Sequence, residues 1–167
     1  MAFSPRSFSE RVRRNHALEH ATLHVLAREM PHLSLVGRSD GQGFALYGEV
    51  DTESVRHAAA EAYERLRAGE TYLAVHPNCG TNMAVGMLLA AGALALSLLS
   101  SRRSKAPRWP LAVLGVAGAL TLSVPLGPEV QRRWTTHPDM DGVTVTEVVC
   151  VRRGKLPVHR VRIEHSV

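Results

Sequence analysis

Two short segments of the chain carry side chains that commonly bind metal ions. The first reads His16-Ala17-Leu18-Glu19-His20, an H-x-x-E-H pattern. In a helix, His16 and His20 lie one turn apart on the same face, so both imidazoles can bind one metal ion. Glu19 lies beside them, where its carboxylate could accept a proton from a metal-bound water. The pattern therefore predicts a metal site with two histidine ligands and Glu19 as general base.

The second segment is the polar turn 76–82, His-Pro-Asn-Cys-Gly-Thr-Asn, directly before a long apolar run. His76 and Cys79 form an H-x-x-C pair, a spacing found in metal sites. A catalytic zinc needs three protein ligands and one open position. We therefore predict His16, His20 and either His76 or Cys79 as ligands of Zn²⁺ or another divalent transition metal.

Polar neighbours of these motifs are candidates to orient the ligands. Asn15 and His24 flank the first motif, and Asn78 and Thr81 lie in the second. The alternative is that Asn78 and Thr81 cap the following helix. The remaining residues of interest lack ligand spacing: we expect His137, His159 and His165 at the surface and Cys150 in an apolar core strand.

Three functions fit these motifs. The first is a zinc-type hydrolase, such as a peptidase, in which metal-bound water attacks a carbonyl and Glu19 takes its proton. The second is a structural site whose four ligands are all provided by His and Cys side chains. The third is a thiol enzyme with Cys79 as nucleophile and His76 as its partner, because a helix N-terminus lowers a thiol pKa.

The elements that must position these residues can be read from the apolar spacing. Ser7 and Glu10 match a capping box, which predicts a helix over 8–29. Runs at 33–36 and 44–50 predict a hairpin around the Gly-rich turn 39–43. Asp51 or Thr52 caps a second helix that ends at Gly69. Its buried face is predicted to comprise Val55, Ala58, Ala59, Ala62, Tyr63 and Leu66. Strands are predicted at 71–75, 142–151 and 158–163.

Two apolar runs without charges, 83–99 and 109–126, divide the chain. As helices they would measure about 26 and about 27 Å, slightly less than a hydrocarbon core of about 30 Å. We predict an α+β membrane protein, with an α-β-β-α-β(+β-β) soluble domain interrupted by a two-helix transmembrane hairpin. The predicted segments are 1–81 for the metal motifs, 82–127 for the hairpin, and 128–167 for terminal strands that complete the sheet.

Composition narrows the partners. The chain of 167 residues has a net charge of +5 but only 5% aromatic residues, and it lacks a groove-reading or stacking motif, so we expect no nucleic acid partner. The basic excess suits anionic lipid headgroups. The expected partners are the lipid bilayer and a peptide, membrane-protein or lipid-borne substrate, and the hairpin would allow a homo-oligomer. Two cysteines exclude a disulfide-rich scaffold.

Membrane topology is predicted from opposing signals. The turn 100–108 carries Arg102, Arg103, Lys105 and Arg108, which would favour a cytoplasmic turn. The opposite flanks carry Arg67, Arg132 and Arg133, and an arginine-rich N-terminal segment would have to cross without a signal peptide. A thiol ligand is also better preserved in a reducing compartment. We predict a bacterial inner-membrane protein with both termini and the soluble domain in the cytoplasm.

The two motifs resemble those of a known family. HALEHATL followed by HPNCGTN is similar to the H-x-x-E-H-K-T and H-x-R-C-G-T motifs of the YqhQ-like family of metal-dependent membrane enzymes. A group of uncharacterised bacterial and cyanobacterial proteins with R-N-H-A-L-E-H-A resembles this chain more closely than that family does. The resemblance implies metal dependence. Ala21 and Asn78 stand where the larger family has Lys and Arg, so it does not define the substrate.

Overall fold

The computed structural model describes residues 7–100, 109–152 and 156–166. The chain divides into two compact units, Met1–His76 with Trp134–Val167, and Pro77–Arg133. The basic turn predicted between the apolar runs lies at 101–108, outside the described residues, and so does 153–155 in the predicted terminal hairpin. The division into segments 1–81, 82–127 and 128–167 stays a prediction.

Helix α1 spans Phe8–Glu29, as the capping box predicts. The Ser7 hydroxyl accepts a hydrogen bond from the Glu10 amide at 3.3 Å, which satisfies one of the unpaired N–H groups of the first turn. Its apolar face is fully buried and comprises Ala17, Leu18, Ala21, Val25 and Leu26. The helix therefore packs this face into the core of the first unit.

Helix α2 spans Thr52–Arg67, and Asp51 caps it by accepting from the Ser54 amide at 2.8 Å. The predicted buried face is confirmed for Val55, Ala58, Ala59, Ala62 and Leu66. Tyr63 is half-buried and donates its hydroxyl proton to the Val143 carbonyl at 2.9 Å. Gly69 has a φ of +93°, which glycine adopts without strain, and ends the segment.

One antiparallel sheet crosses the first unit. Its strands are β1 Val36–Asp40, β2 Gly43–Tyr47, β3 Val143–Arg152 and β4 Val158–His165, in the order β1-β2-β4-β3. Ala45 pairs with Arg160 across β2 and β4, and Val148 pairs with Val161 across β3 and β4. The prediction that the terminal strands complete the sheet is confirmed. Helices α1 and α2 pack with it around a core that includes Phe44, Leu46 and Val161.

Two predicted strands differ from the structure. The strand predicted at 33–36 begins only at Val36, because Leu33 donates its amide to the Met30 carbonyl and is part of a turn. The predicted strand 71–75 is wrong: Thr71–Ala74 form a 3₁₀ turn. The Leu73 and Val75 amides bond to the Glu70 and Tyr72 carbonyls, so this segment satisfies its backbone locally.

The second unit contains helices α3 Gly80–Ser100 and α4 Trp109–Val130. Both are long and apolar enough to cross a membrane, and only 11% of each apolar window is buried. Helix α4 continues past the predicted run, through Pro125 and Pro128, into a π-helical turn Gln131–Thr135. Proline removes a helical hydrogen bond, so an irregular turn here has a local cause.

Small residues bring α3 and α4 close together. A methyl group at Gly86 would lie 3.3 Å from Ser123 Oγ, and one at Gly115 would lie 3.7 Å from Ala93 Cβ. Such close approach is typical of helix pairs in lipid, where van der Waals packing replaces the hydrophobic effect. At one end of the pair, Gln131 donates from Nε2 to Asn82 Oδ1 at 2.6 Å.

Candidate metal centre

Helix α1 aligns three histidines, His16, His20 and His24, toward the segment that ends at His76. The ring centroids of His16 and His20 are 4.2 Å apart. The His76 ring lies 5.7 Å from His20 and 5.0 Å from His24. The structure therefore places His16 beside His20, and His76 beside both His20 and His24.

Backbone carbonyls set the tautomers of the first two histidines. His16 Nδ1 lies 3.0 Å from the Thr135 carbonyl, and His20 Nδ1 lies 2.8 Å from the Ala74 carbonyl. A carbonyl oxygen only accepts, so both Nδ1 atoms carry the hydrogen and both Nε2 atoms carry the lone pair. This arrangement is common in metal-binding histidines, because the Nδ1 bond fixes the ring.

The other two histidines differ. His24 uses Nε2 to donate to the Val75 carbonyl at 2.8 Å, so its lone pair is on Nδ1. Burial, together with the neighbouring His20 and His24, lowers the pKa of His76 to about 4. A neutral imidazole is the form that binds metal. His76 is therefore suited to be a ligand at neutral pH.

The Glu19 carboxylate lies against strand β1. Its side chain is 4% exposed, and Ser39 Oγ donates a hydrogen bond to Glu19 Oε2. A methyl group at Gly37 would overlap the carboxylate, so a larger residue there would require the Glu19 side chain to move. Burial raises the pKa of Glu19, while the Ser39 hydrogen bond and nearby His16 lower it by less. A raised pKa suits a group that accepts and returns protons near neutral pH.

The predicted supporting residues have other contacts. Asn15 donates from Nδ2 to the Asp40 carbonyl at 2.7 Å, and its Oδ1 lies 2.9 Å from His165 Nε2, so it bonds to β1 and β4. In the second unit, the Thr81 amide donates to Cys79 Sγ at 3.4 Å. Cys79 and Asn78 both belong to that unit, and their roles toward the histidines remain predictions from the sequence.

Two expectations about other residues are wrong. His159 is 2% exposed rather than at the surface, because it faces the core from the central strand β4, with Nδ1 3.4 Å from Thr52 Oγ1. Cys150 is half-buried rather than in the core, because it lies on β3, a strand at the edge of the sheet that is only partly covered. His137 and His165 are also half-buried.

Sequence reasoning missed the buried Arg14 beside the centre. Its Nη1 donates to the Asp139 and Asp141 carbonyls at 2.8 and 3.0 Å, and its Nη2 to Asp139 Oδ2 at 2.7 Å. These hydrogen bonds fix the segment that precedes β3 against α1. The same segment follows closely after Thr135, whose carbonyl holds His16. An arginine four residues after Glu10 reads as a surface pair, so the sequence carried no signal for this role.

A second group of possible ligands lies on the surface. Glu29, His57 and Glu61 have ligand atoms within 4.8 Å of one another. Arg28 donates to both Glu61 oxygens, at 2.8 and 3.1 Å, and is also 3.7 Å from Glu29. The Arg28 guanidinium thus already provides the cation for these carboxylates, and the group is an exposed ion-pair cluster.

Comparison with known proteins gives two matches. A protein of the cyanobacterium Picosynechococcus sp. (strain PCC 7002), described as uncharacterised, is 39% identical over 139 residues. The alignment covers 75% of this chain and 65% of that protein. No solved structure matches. These findings agree with the resemblance to uncharacterised bacterial and cyanobacterial proteins, but they do not support the assignment to the YqhQ-like enzymes. A family described as a domain of unknown function, DUF6391, matches residues 11–148, and the chain belongs to this family.

Proposed function

We propose that this protein is a membrane-anchored, zinc-type metal-dependent hydrolase acting on peptide or lipid-borne substrates. The observation that carries the proposal is the anchored pair His16 and His20, whose Nδ1 atoms donate to carbonyls while their Nε2 atoms keep the lone pairs. His76 is the third ligand that the first unit offers. Cys79 is the alternative third ligand predicted by the sequence.

The chemistry divides between the metal and the protein. A bound divalent metal would polarise a carbonyl and lower the pKa of water. Glu19 would accept the proton, since burial raises its pKa toward the range of a useful base. Ser39 keeps the carboxylate oriented through its hydrogen bond. The protein thus fixes both the base and the ligand rings before substrate binds.

A structural metal site is the second candidate, and one observation favours it. Glu19 is almost completely buried and already bonded to Ser39, which also describes a carboxylate that only anchors α1 to β1. In this case a fourth His or Cys ligand would fill the open position of the metal. The ligand count therefore separates the two candidates.

The membrane location rests on α3 and α4. Their apolar side chains are exposed along both helices, among them Met83, Met87, Leu88, Leu96, Leu114, Leu122 and Val124. Exposed apolar surface of this extent suits lipid. We propose the bacterial inner membrane, with the first unit in the cytoplasm, and a second copy as a possible partner of the hairpin.

Replacing Glu19 with Gln tests the hydrolase. The variant is expected to keep its metal, measured by elemental analysis of untagged protein in detergent, and to lose hydrolysis of fluorescein-labelled casein. Wild-type protein stripped by a chelator and reloaded with Zn²⁺ is the positive control. If Glu19→Gln lost the metal as well, the carboxylate would be a ligand. Hydrolysis that persists after chelation would instead favour the Cys79 thiol enzyme.

A further inference from the structure

A cleft lies in the first unit, and none of the histidines of the row lines it. It has a volume of about 400 Å³ and is formed by the first turns of α1, the β1–β2 turn, the start of β3 and the end of β4. Its lining includes the charged side chains of Arg11 and Glu164, and the imidazole of His165, whose Nε2 lies 2.9 Å from Asn15 Oδ1. Ligand pockets for small molecules begin at about 300 Å³, so this cleft can hold a ligand of amino-acid or dipeptide size.

Arg11 has little to bind within the protein. It forms no ion pair within the described residues, and its guanidinium carbon lies 6.0 Å from the centre of the Phe8 ring. Its Nε is shielded from solvent and has no hydrogen-bond partner among those residues. A buried guanidinium N–H without a partner is costly. The guanidinium is thus available to a carboxylate or phosphate, which it can bind through two parallel hydrogen bonds.

Glu164 offers the opposite charge in the same cleft. It is exposed on β4 and has neither an ion pair nor a hydrogen bond from its side chain within 7–100, 109–152 and 156–166. Its neighbours on β4 contrast with it, since Arg160 pairs with Asp40 and Arg162 with Glu147. A carboxylate here would repel a simple anion and attract an ammonium group.

Neutral groups complete the lining. Thr144 and Gln42 contribute a hydroxyl and an amide, and neither side chain has a hydrogen bond within the parts of the chain described. The Ser166 hydroxyl donates to the Gly142 carbonyl at 3.1 Å, so its oxygen is left to accept from a ligand. The cleft therefore combines one cation, one anion and several neutral polar groups.

We propose that this cleft binds a small zwitterion, with its anionic group on Arg11 and its ammonium group on Glu164. A free amino acid or short peptide carries this chemistry, and so does a phosphoethanolamine headgroup. The proposal does not depend on the metal centre, because none of the cleft residues named here is a proposed ligand.

The test measures binding of four probes to full-length protein in detergent by calorimetry. The probes are alanyl-alanine, its N-acetyl form, its C-terminal amide, and glycerophosphoethanolamine. Alanyl-alanine should bind about tenfold or more tightly than either blocked form, because each blocked form loses one charge-assisted contact. Stronger binding of glycerophosphoethanolamine would assign the cleft to lipid headgroups. Equal binding of all probes, or no binding of either zwitterion, would overturn the proposal.

Variants then assign each end of the zwitterion. Arg11→Ala should weaken the N-acetyl form and leave the amide unchanged, and Glu164→Gln should do the reverse. Arg38→Ala and Glu49→Gln are matched controls, since both residues are exposed and neither lines the cleft. Arg11→Lys tests whether the loss of binding in Arg11→Ala results from misfolding. Lysine keeps the positive charge, so Arg11→Lys should bind the N-acetyl form more tightly than Arg11→Ala does. The proposal fails if the control variants lose as much probe binding as the cleft variants do.

Discussion

The first unit buries polar groups on one helix, whereas the helices of the second unit expose apolar ones. On α1, Arg14, Asn15, Glu19, His20 and Thr22 are all buried and all hydrogen-bonded. On α3 and α4, leucines and methionines are exposed. Buried polar groups are costly to arrange, and they are common where an active or binding site is held in place. The contrast agrees with the proposal that the first unit holds a site and the second lies in lipid.

The largest effect is expected from removing a metal ligand. His20→Ala should reduce bound zinc from about one ion per chain to a trace, a larger loss than the about 10–100-fold cost of removing an outer partner. Elemental analysis after zinc reconstitution measures it. His32→Ala is the matched control, because its side chain is exposed and lies outside the row. Full zinc content in His20→Ala would disprove the centre.

Cobalt spectroscopy and metal analysis of two further variants separate the two candidate third ligands, His76 and Cys79. Cobalt-loaded protein should show a thiolate charge-transfer band if Cys79 binds the metal, and Cys79→Ser should abolish that band. If His76 is the ligand instead, His76→Ala should lose the metal while Cys79→Ser keeps it. Full metal content in both variants would limit the centre to α1, and loss in both would make both residues ligands.

The second prediction tests whether the second unit spans a membrane. With the native cysteines replaced by serine, a cysteine placed at Ser101 should react with an impermeant maleimide in intact cells. One placed at Ser166 should react only after lysis. Ser101 lies outside the described residues, in the turn predicted to face outward. The reverse labelling pattern would place the first unit outside the cell.

The third prediction concerns close packing within the second unit. Gly127→Ala should destabilise the protein by about 1–3 kcal/mol, because the new methyl group would overlap the Asn82 side chain and lie 3.2 Å from its Cα. Gly118→Ala, on the same helix, meets nothing within 4 Å and should be neutral or slightly stabilising. Thermal unfolding in detergent compares them. Equal melting temperatures would show that α3 and α4 are not packed in this way.

The smallest effect belongs to the sheet of the first unit. Arg160 donates to both Asp40 oxygens at 2.7 Å and lowers the pKa of Asp40. The pair therefore stabilises the fold above the ordinary pKa of Asp40, and this contribution is lost as the pH falls through the lowered value. Asp40→Asn should cost about 0.5 kcal/mol at pH 7 and nothing in strong acid. Glu49→Gln is the matched control, because it removes an exposed carboxylate that forms no ion pair within the described residues.

Much of the fold was predictable because its signals are local. Neighbouring residues determine the caps at Ser7 and Asp51 and the apolar faces of α1 and α2. Both helices begin where the caps predict. The failures have long-range causes. Ser39 and Asp40 look like turn residues, but in β1 they pair with Phe44 and Gly43, and their side chains bind Glu19 and Arg160. Thr71–Ala74 look like a strand, but the Leu73 and Val75 amides bond to the Glu70 and Tyr72 carbonyls instead of to a neighbouring strand.

The candidate site shows the same limit. Helical spacing predicted that His16 and His20 share a face, and the structure places their rings side by side. The carbonyls that fix those rings, at Ala74 and Thr135, are backbone atoms that any residue type would supply. Side-chain patterns therefore carry no signal for them. The hydrogen bond of Ser39 to Glu19 was missed for a related reason, since it joins residues from different elements.

The order of strands in the sheet has a consequence for how the protein is made. Strand β4 follows both apolar helices in sequence and lies between β2 and β3 in the sheet. During synthesis, β1 and β2 emerge long before their partner, and both apolar helices are made in the interval. The sheet of the first unit therefore cannot be completed until β4 has been synthesised. Truncation of the last dozen residues should leave β2 with an unpaired edge and a product prone to aggregation or proteolysis.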